Sequence, residues 1–127
     1  MSAGNDTPHL PGRAPIDAYG GGGFRFADMS HRGSILCLPS GVYAWDVARL
    51  EDLTVASVER VIGEAREITH LLIGTGATLS PLPQLVQARL REAGITAEPM
   101  ATGQAARTYN ILISENRKVA AALIAMV

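Results

Sequence analysis

A single cysteine, Cys37, stands in 127 residues. No disulfide can therefore staple the chain from within, and the composition suits a reducing compartment. Aromatic residues are scarce at 5%, which argues against a stacking platform for single-stranded nucleic acid. Charge of neither sign dominates. The formal net charge is −1 and the pI about 6.3, so no basic field recommends nucleic acid or an anionic membrane as partner. No apolar stretch approaches bilayer-spanning length. The segment from Met1 to Pro15 lacks the apolar core of a secretory signal. These absences lead to the expectation of a cytoplasmic protein without a transmembrane segment.

Chemistry-bearing patterns are equally sparse. No Gly-Lys-Ser/Thr occurs, so there is no phosphate-loop lysine. His9, His31 and His70 are scattered, and none is spaced with another His, Cys or acid as metal ligands are. No nucleophile-elbow pattern surrounds Ser34, Ser40, Ser57, Ser80 or Ser114. No paired titratable groups for acid–base work stand near the glycine loop described below. The expectation is no metal and no cofactor.

What is present is an ordinary globular balance, 47% hydrophobic and 18% charged, in a chain long enough for one domain with a sizeable core. Its organising stretch spans residues 68 to 83. There the apolar run Leu71-Leu72-Ile73 ends at Gly74-Thr75-Gly76 and a proline-marked helix start follows. A short apolar run between turn residues reads as a strand buried on both faces. A glycine loop feeding a helix N-terminus can hold an anion or a carbonyl oxygen, because uncovered amides and helix dipole point the same way. Gly74-x-Gly76 also matches part of the dinucleotide fingerprint, and Glu98 lies near where that motif places its ribose-binding acid. The third glycine position is Leu79, however, so the full fingerprint fails.

Taken in order, residues 1 to 13 read as a disordered, dispensable tail, and residues 14 to 127 as one domain. The four glycines after Tyr19 read as a turn or bulge between edge strands, because Phe24-Arg25-Phe26 continues as a strand. His31-Arg32-Gly33 reads as a polar turn. Residues 34 to 39 and 42 to 47 read as an antiparallel pair. Thr54 is a good cap for a first helix bearing Val55, Val58, Val61, Ile62 and Ala65. A second helix follows, with Leu82, Leu85, Val86, Leu90 and Ala93 inward and Gly94 as its stop. A short strand, Ile95 to Glu98, is closed by Pro99. Thr102 is expected to cap a third helix with Ala105, Ala106, Tyr109, Leu112 and Ile113 on one side. The apolar run Val119 to Ala125 reads as the last strand. The second half is thus β-α-β-α-β, a pattern that builds a largely parallel sheet with helices against it.

Three stretches carry a resemblance: Pro99 through Asn110, Ile73-Gly74-Thr75-Gly76, and Arg117 through Leu123. Tyr19-Gly20, Phe24-Arg25, Gly33-Ser34-Ile35 and Trp45 extend it upstream. In their order and spacing they resemble the Mth-type domain family. The resemblance implies an α/β fold, a three-layer β/β/α single domain with a mixed central sheet, and no established catalytic activity or cofactor. A mitochondrial member helps assemble respiratory complex I through protein–protein contacts. The leading implied function is therefore a non-enzymatic protein-interaction module, with respiratory-complex subunits or assembly factors as partners. The alternative is a small-molecule or anion-binding domain, or an enzyme of unknown reaction, with its site at the glycine loop and third-helix N-terminus. The candidate crevice comprises Gly74, Thr75, Gly76, Met100, Thr102, Tyr109, Asn110 and Arg117. Each also has a structural reading: turn glycines, a capping threonine, packing by Met100 and Tyr109, and backbone tethering by Asn110.

Overall fold

The computed structural model describes residues 8–126. Strand β1 (Leu10–Pro11) is followed by three short strands, β2 (Ala18–Gly20), β3 (Gly23–Phe26) and β4 (Met29–Arg32), which form an antiparallel meander. Strands β5 (Ile35–Leu38) and β6 (Gly41–Ala44) come next, then a helical stretch, then β7 (His70–Gly74), helix α2 (Gln84–Glu92), β8 (Thr96–Met100), helix α3 (Thr102–Ser114) and β9 (Val119–Leu123). A six-stranded sheet runs in the order β1-β6-β5-β9-β7-β8. Strand β7 pairs in parallel with β8 and β9, while β9 meets β5 antiparallel, so the central sheet is mixed.

Alternation along the strands sorts the core into two clusters, one on each face of that sheet. Leu71 and Ile73 point with Leu36, Leu38, Ala120 and Ala122 toward Val86 and Leu90 of α2 and Val58 and Val61 of the helical stretch. Leu72 points the other way with Ile35, Cys37, Ala121 and Leu123, toward Ala105, Ala106 and Tyr109 of α3 and Phe24 and Phe26 of the small sheet. The three layers are therefore helices, the six-stranded sheet, and the small sheet side by side with α3. The alanines of β9 and α3 leave room for that close layering, and β7, β9 and the amphipathic α3 lie where the periodicity places them.

Several elements depart from the sequence reading. The tail expected over residues 1–13 is not free along its whole length. Its residues 1–7 lie outside the described residues, but His9 N–H donates to the Val42 carbonyl (2.7 Å) and Gly12 N–H to the Ser40 carbonyl (2.9 Å), adding β1 to the edge of β6. These are backbone bonds, which leave no apolar signature in sequence. His31 and Arg32 belong to strand β4 rather than a turn. The turn before it is the two-residue Ala27-Asp28, whose φ angles are 49° and 62°. The first helix is broken: 3₁₀ turns at Ala56–Val58 and Ala65–Glu67 flank a four-residue α1 (Glu59–Ile62). Thr54 does not cap it; its N–H instead donates to Ser57 Oγ (3.1 Å). Leu85 is 75% exposed rather than inward. Pro99 lies inside β8, at the sheet edge where a residue without an N–H is tolerated.

Candidate functional site

Helix α2 covers one face of the sheet and α3 the other. The chain thus leaves β7 and its neighbour β8 in opposite directions, which defines a topological switch point at their carboxyl ends. Gly74, Thr75 and Gly76 stand there beside Met100 and Thr102. Three of the amides expected to hold an anion are taken within the protein. Gly76 N–H donates to Thr102 Oγ1 (2.9 Å), and Thr102 N–H donates to the Gly76 carbonyl (2.8 Å). Thr75 N–H donates to the Met100 carbonyl (2.8 Å).

Thr102 is the first residue of α3, not its cap, and no side chain caps that helix. Its hydroxyl, fully buried, turns inward and donates to the Ile124 carbonyl (2.8 Å) while accepting from Gly76. One oxygen thus joins the ends of three elements. Gly74 is glycine because a Cβ there would lie 2.8 Å from Thr102 Oγ1 and 2.9 Å from Thr102 Cα. Gly76 is glycine because its φ is +104°. Thr75 closes the loop on itself, its hydroxyl donating to the Thr78 carbonyl (2.6 Å) and accepting from Ser80 N–H (3.2 Å).

The other three expected crevice residues do not join them. Tyr109 is fully buried under α3, and its hydroxyl has no hydrogen-bond partner among the described residues. Burial, with Cys37 nearby, pushes the phenol above its ordinary range. Asn110 clamps the backbone of Ile16, accepting its N–H and donating to its carbonyl, both at 2.8 Å. Arg117 sits at the opposite end of the sheet, just before β9, with its carbonyl accepting from Arg13 (2.9 Å). The length of β7, about 16 Å at 3.3 Å per residue, separates it from Gly76.

Tyr109→Phe deletes a buried hydroxyl that no protein group satisfies, so it is expected to raise the unfolding free energy by about 1 kcal/mol. Chemical denaturation checks this; a loss of about 1 kcal/mol instead would mean that the hydroxyl is bonded in solution.

Beside the junction lies a cleft of about 750 Å³. Its walls come from three separate segments: residues 48–51, the loop from Thr75 to Pro83, and residues 124–126. Among the described residues, Arg49 and Glu51 are the titratable side chains lining it, and Leu50, Leu82 and Ile124 make it largely apolar. Leu79, 63% exposed, belongs to the same loop, and exposed Leu85 follows in α2. Sequence reasoning found the loop but missed the other two walls, which carry no motif. Cys37 offers no nucleophile: it is fully buried and its thiol is pushed up to about 12 by burial. Among the described residues no three His, Cys, Asp or Glu side chains group as metal ligands would, and no helix is long and apolar enough to cross a membrane.

Similar proteins are found both by sequence and by fold. A crystal structure described as an outer membrane protein from Bartonella henselae is 53% identical and superposes with a TM-score of 0.90, covering 94% of this chain and 100% of that one. A solution structure from Bordetella pertussis, described as a Mth938-like domain, is 28% identical with a TM-score of 0.78, over 88% of this chain and 85% of its own. An uncharacterised Rhodobacter capsulatus protein is 41% identical over 94% of this chain and 90% of its own length. The NADH dehydrogenase [ubiquinone] 1 alpha subcomplex assembly factor 3 of Danio rerio is 34% identical over 86% of this chain. The chain spans less than two thirds of such assembly factors, 63% of the Danio rerio protein and 59% of the Homo sapiens one. The family described as "Protein of unknown function (DUF498/DUF598)" matches residues 16–124. With that match and the shared mixed-sheet architecture, the chain belongs to the DUF498/DUF598 family and is built as a Mth938-like α/β domain.

Proposed function

We propose that this domain is a non-enzymatic protein-interaction module that assists the assembly of respiratory complex I in the cytoplasm, through contacts with complex subunits or other assembly factors. The observation that carries the reading is the extent of the relationship to the assembly factors. It covers 86% of the chain in the Danio rerio and Homo sapiens proteins, the whole folded unit rather than a local motif. The site chemistry agrees with it. The junction of Gly74, Thr75, Gly76, Met100 and Thr102 spends its polar groups on holding three elements together. The apolar cleft beside it is the kind of surface that protein partners cover.

The test is genetic. In a bacterium that carries complex I and a relative of this chain, deleting that relative should lower the amount of assembled complex on native gels, and this chain should restore it. An unchanged complex in the deletion strain overturns the assembly role. Leu50→Glu, which places a charge in the cleft, should fail to restore assembly while remaining folded; full restoration would remove the cleft from the interface.

A second reading has one observation in its favour. A cleft of about 750 Å³ at a switch point is within the range of small-molecule sites, about 300–1,000 Å³. On that reading Thr75 and Gly76 contact a ligand held mainly by apolar walls, and a small molecule that raises the melting temperature of the wild type but not of Leu50→Glu would favour it.

A further inference from the structure

The outer face of the small sheet differs in chemistry from the apolar cleft. Paired residues in an antiparallel meander face the same side. The row Tyr19–Phe24–His31 turns inward, where Phe24 is buried in the core. The rows Ala18–Arg25–Ser30 and Gly20–Gly23–Arg32 therefore turn outward. Two arginines stand on a floor of alanine, glycine and serine, beneath a cleft of about 450 Å³. Arg25 and Arg32 line that cleft, and among the described residues no aspartate or glutamate does. Neither Arg25 nor Arg32 makes a side-chain hydrogen bond or ion pair among the described residues.

Spacing narrows the ligand. Arg25 lies opposite Ser30, so Arg32 is its diagonal neighbour on β4, about 7–8 Å away between Cα atoms. Side chains on one side of an extended chain repeat every two residues, about 6.6–6.8 Å. Two carboxylates at i and i+2 of an extended segment match that separation, and each can accept the paired N–H fork of a guanidinium. The small floor residues let the backbone of such a segment lie close to the sheet. We infer that the Arg25–Arg32 face docks an extended acidic segment of a protein partner, with carboxylates two residues apart. The inference rests on reading the domain as an interaction module, but not on complex I being the assembly served.

Nuclear magnetic resonance titration of the full chain with a capped Ser-Glu-Ser-Glu-Ser peptide tests it directly. Backbone amides of residues 18–32 should shift saturably. The Arg25→Gln, Arg32→Gln double variant should bind about tenfold more weakly, since exposed pairs are individually weak, while its dispersed spectrum shows that it remains folded. The Ser-Gln-Ser-Gln-Ser peptide should cause no saturable shift. The inference is overturned if the acidic peptide causes no saturable shift, if the double variant binds it equally well, or if inorganic phosphate binds at least as tightly as the peptide. The peptide result is independent of the genetic test, so the two readings fail separately.

Discussion

Leu72→Ala is expected to lower the unfolding free energy by about 2–5 kcal/mol. Leu72 is 1% exposed, on a strand flanked on both sides, opposite Glu98 on β8 and Ala121 on β9. It belongs to the cluster beneath α3, where Ala105, Ala106 and Ala121 are too short to swing into a void. Little of the cavity can therefore collapse, and both transfer and cavity costs remain. A urea titration should show a lower midpoint at unchanged slope. Leu85→Ala, at a side chain 75% exposed, is the control and should stay within about 0.5 kcal/mol. A loss below about 1 kcal/mol at Leu72 would mean that β7 is not central to the core.

Thr102→Val is expected to cost about 2–4 kcal/mol although it changes hardly any volume. Valine fills the same space, so no cavity opens, but two backbone groups lose their partner at once: the Gly76 amide and the Ile124 carbonyl. Each buried group left unpaired costs about 1–3 kcal/mol. The total sits below the full sum because the Gly76 end is only partly buried. Thr102→Ser keeps the oxygen and should recover most of the loss in the same denaturation experiment. Equal losses for serine and valine would show that the methyl group, not the hydroxyl, matters.

The strands of the main sheet were legible because burial on one or both faces imposes period-two or continuous apolar patterns, as in β5, β7 and β9. The helical stretch after residue 54 departs in detail from the expected single helix. Val55, Val58, Val61 and Ile62 have the right spacing, but β-branched side chains and Gly63 propagate a helix poorly, and the segment breaks into short turns. Strand β4 leaves no apolar pattern in the sequence because its outward residues, Ser30 and Arg32, are polar, as a solvent-facing sheet allows. Tyr109, Asn110 and Arg117 join the expected crevice through the family resemblance, which carries no distances. Helix α3 is 13 residues long, about 20 Å at 1.5 Å per residue, so its start and the turn beyond it lie at opposite ends of the domain. Thr102 makes a different bond from the expected helix cap. Its residue type suits a cap, and only the fold reveals that a carbonyl from after β9 waits beneath it.

The two rims of the main sheet are finished by different means. On one side β8 carries Pro99, which offers no N–H to a newcomer. On the other, β6 depends on β1, two residues long. A chain shortened to begin at residue 14 would bare the ladder of β6, an open template for the same strand of another copy. Its cost would then grow with protein concentration, as self-association, and a melting curve of a dilute sample would pass over it.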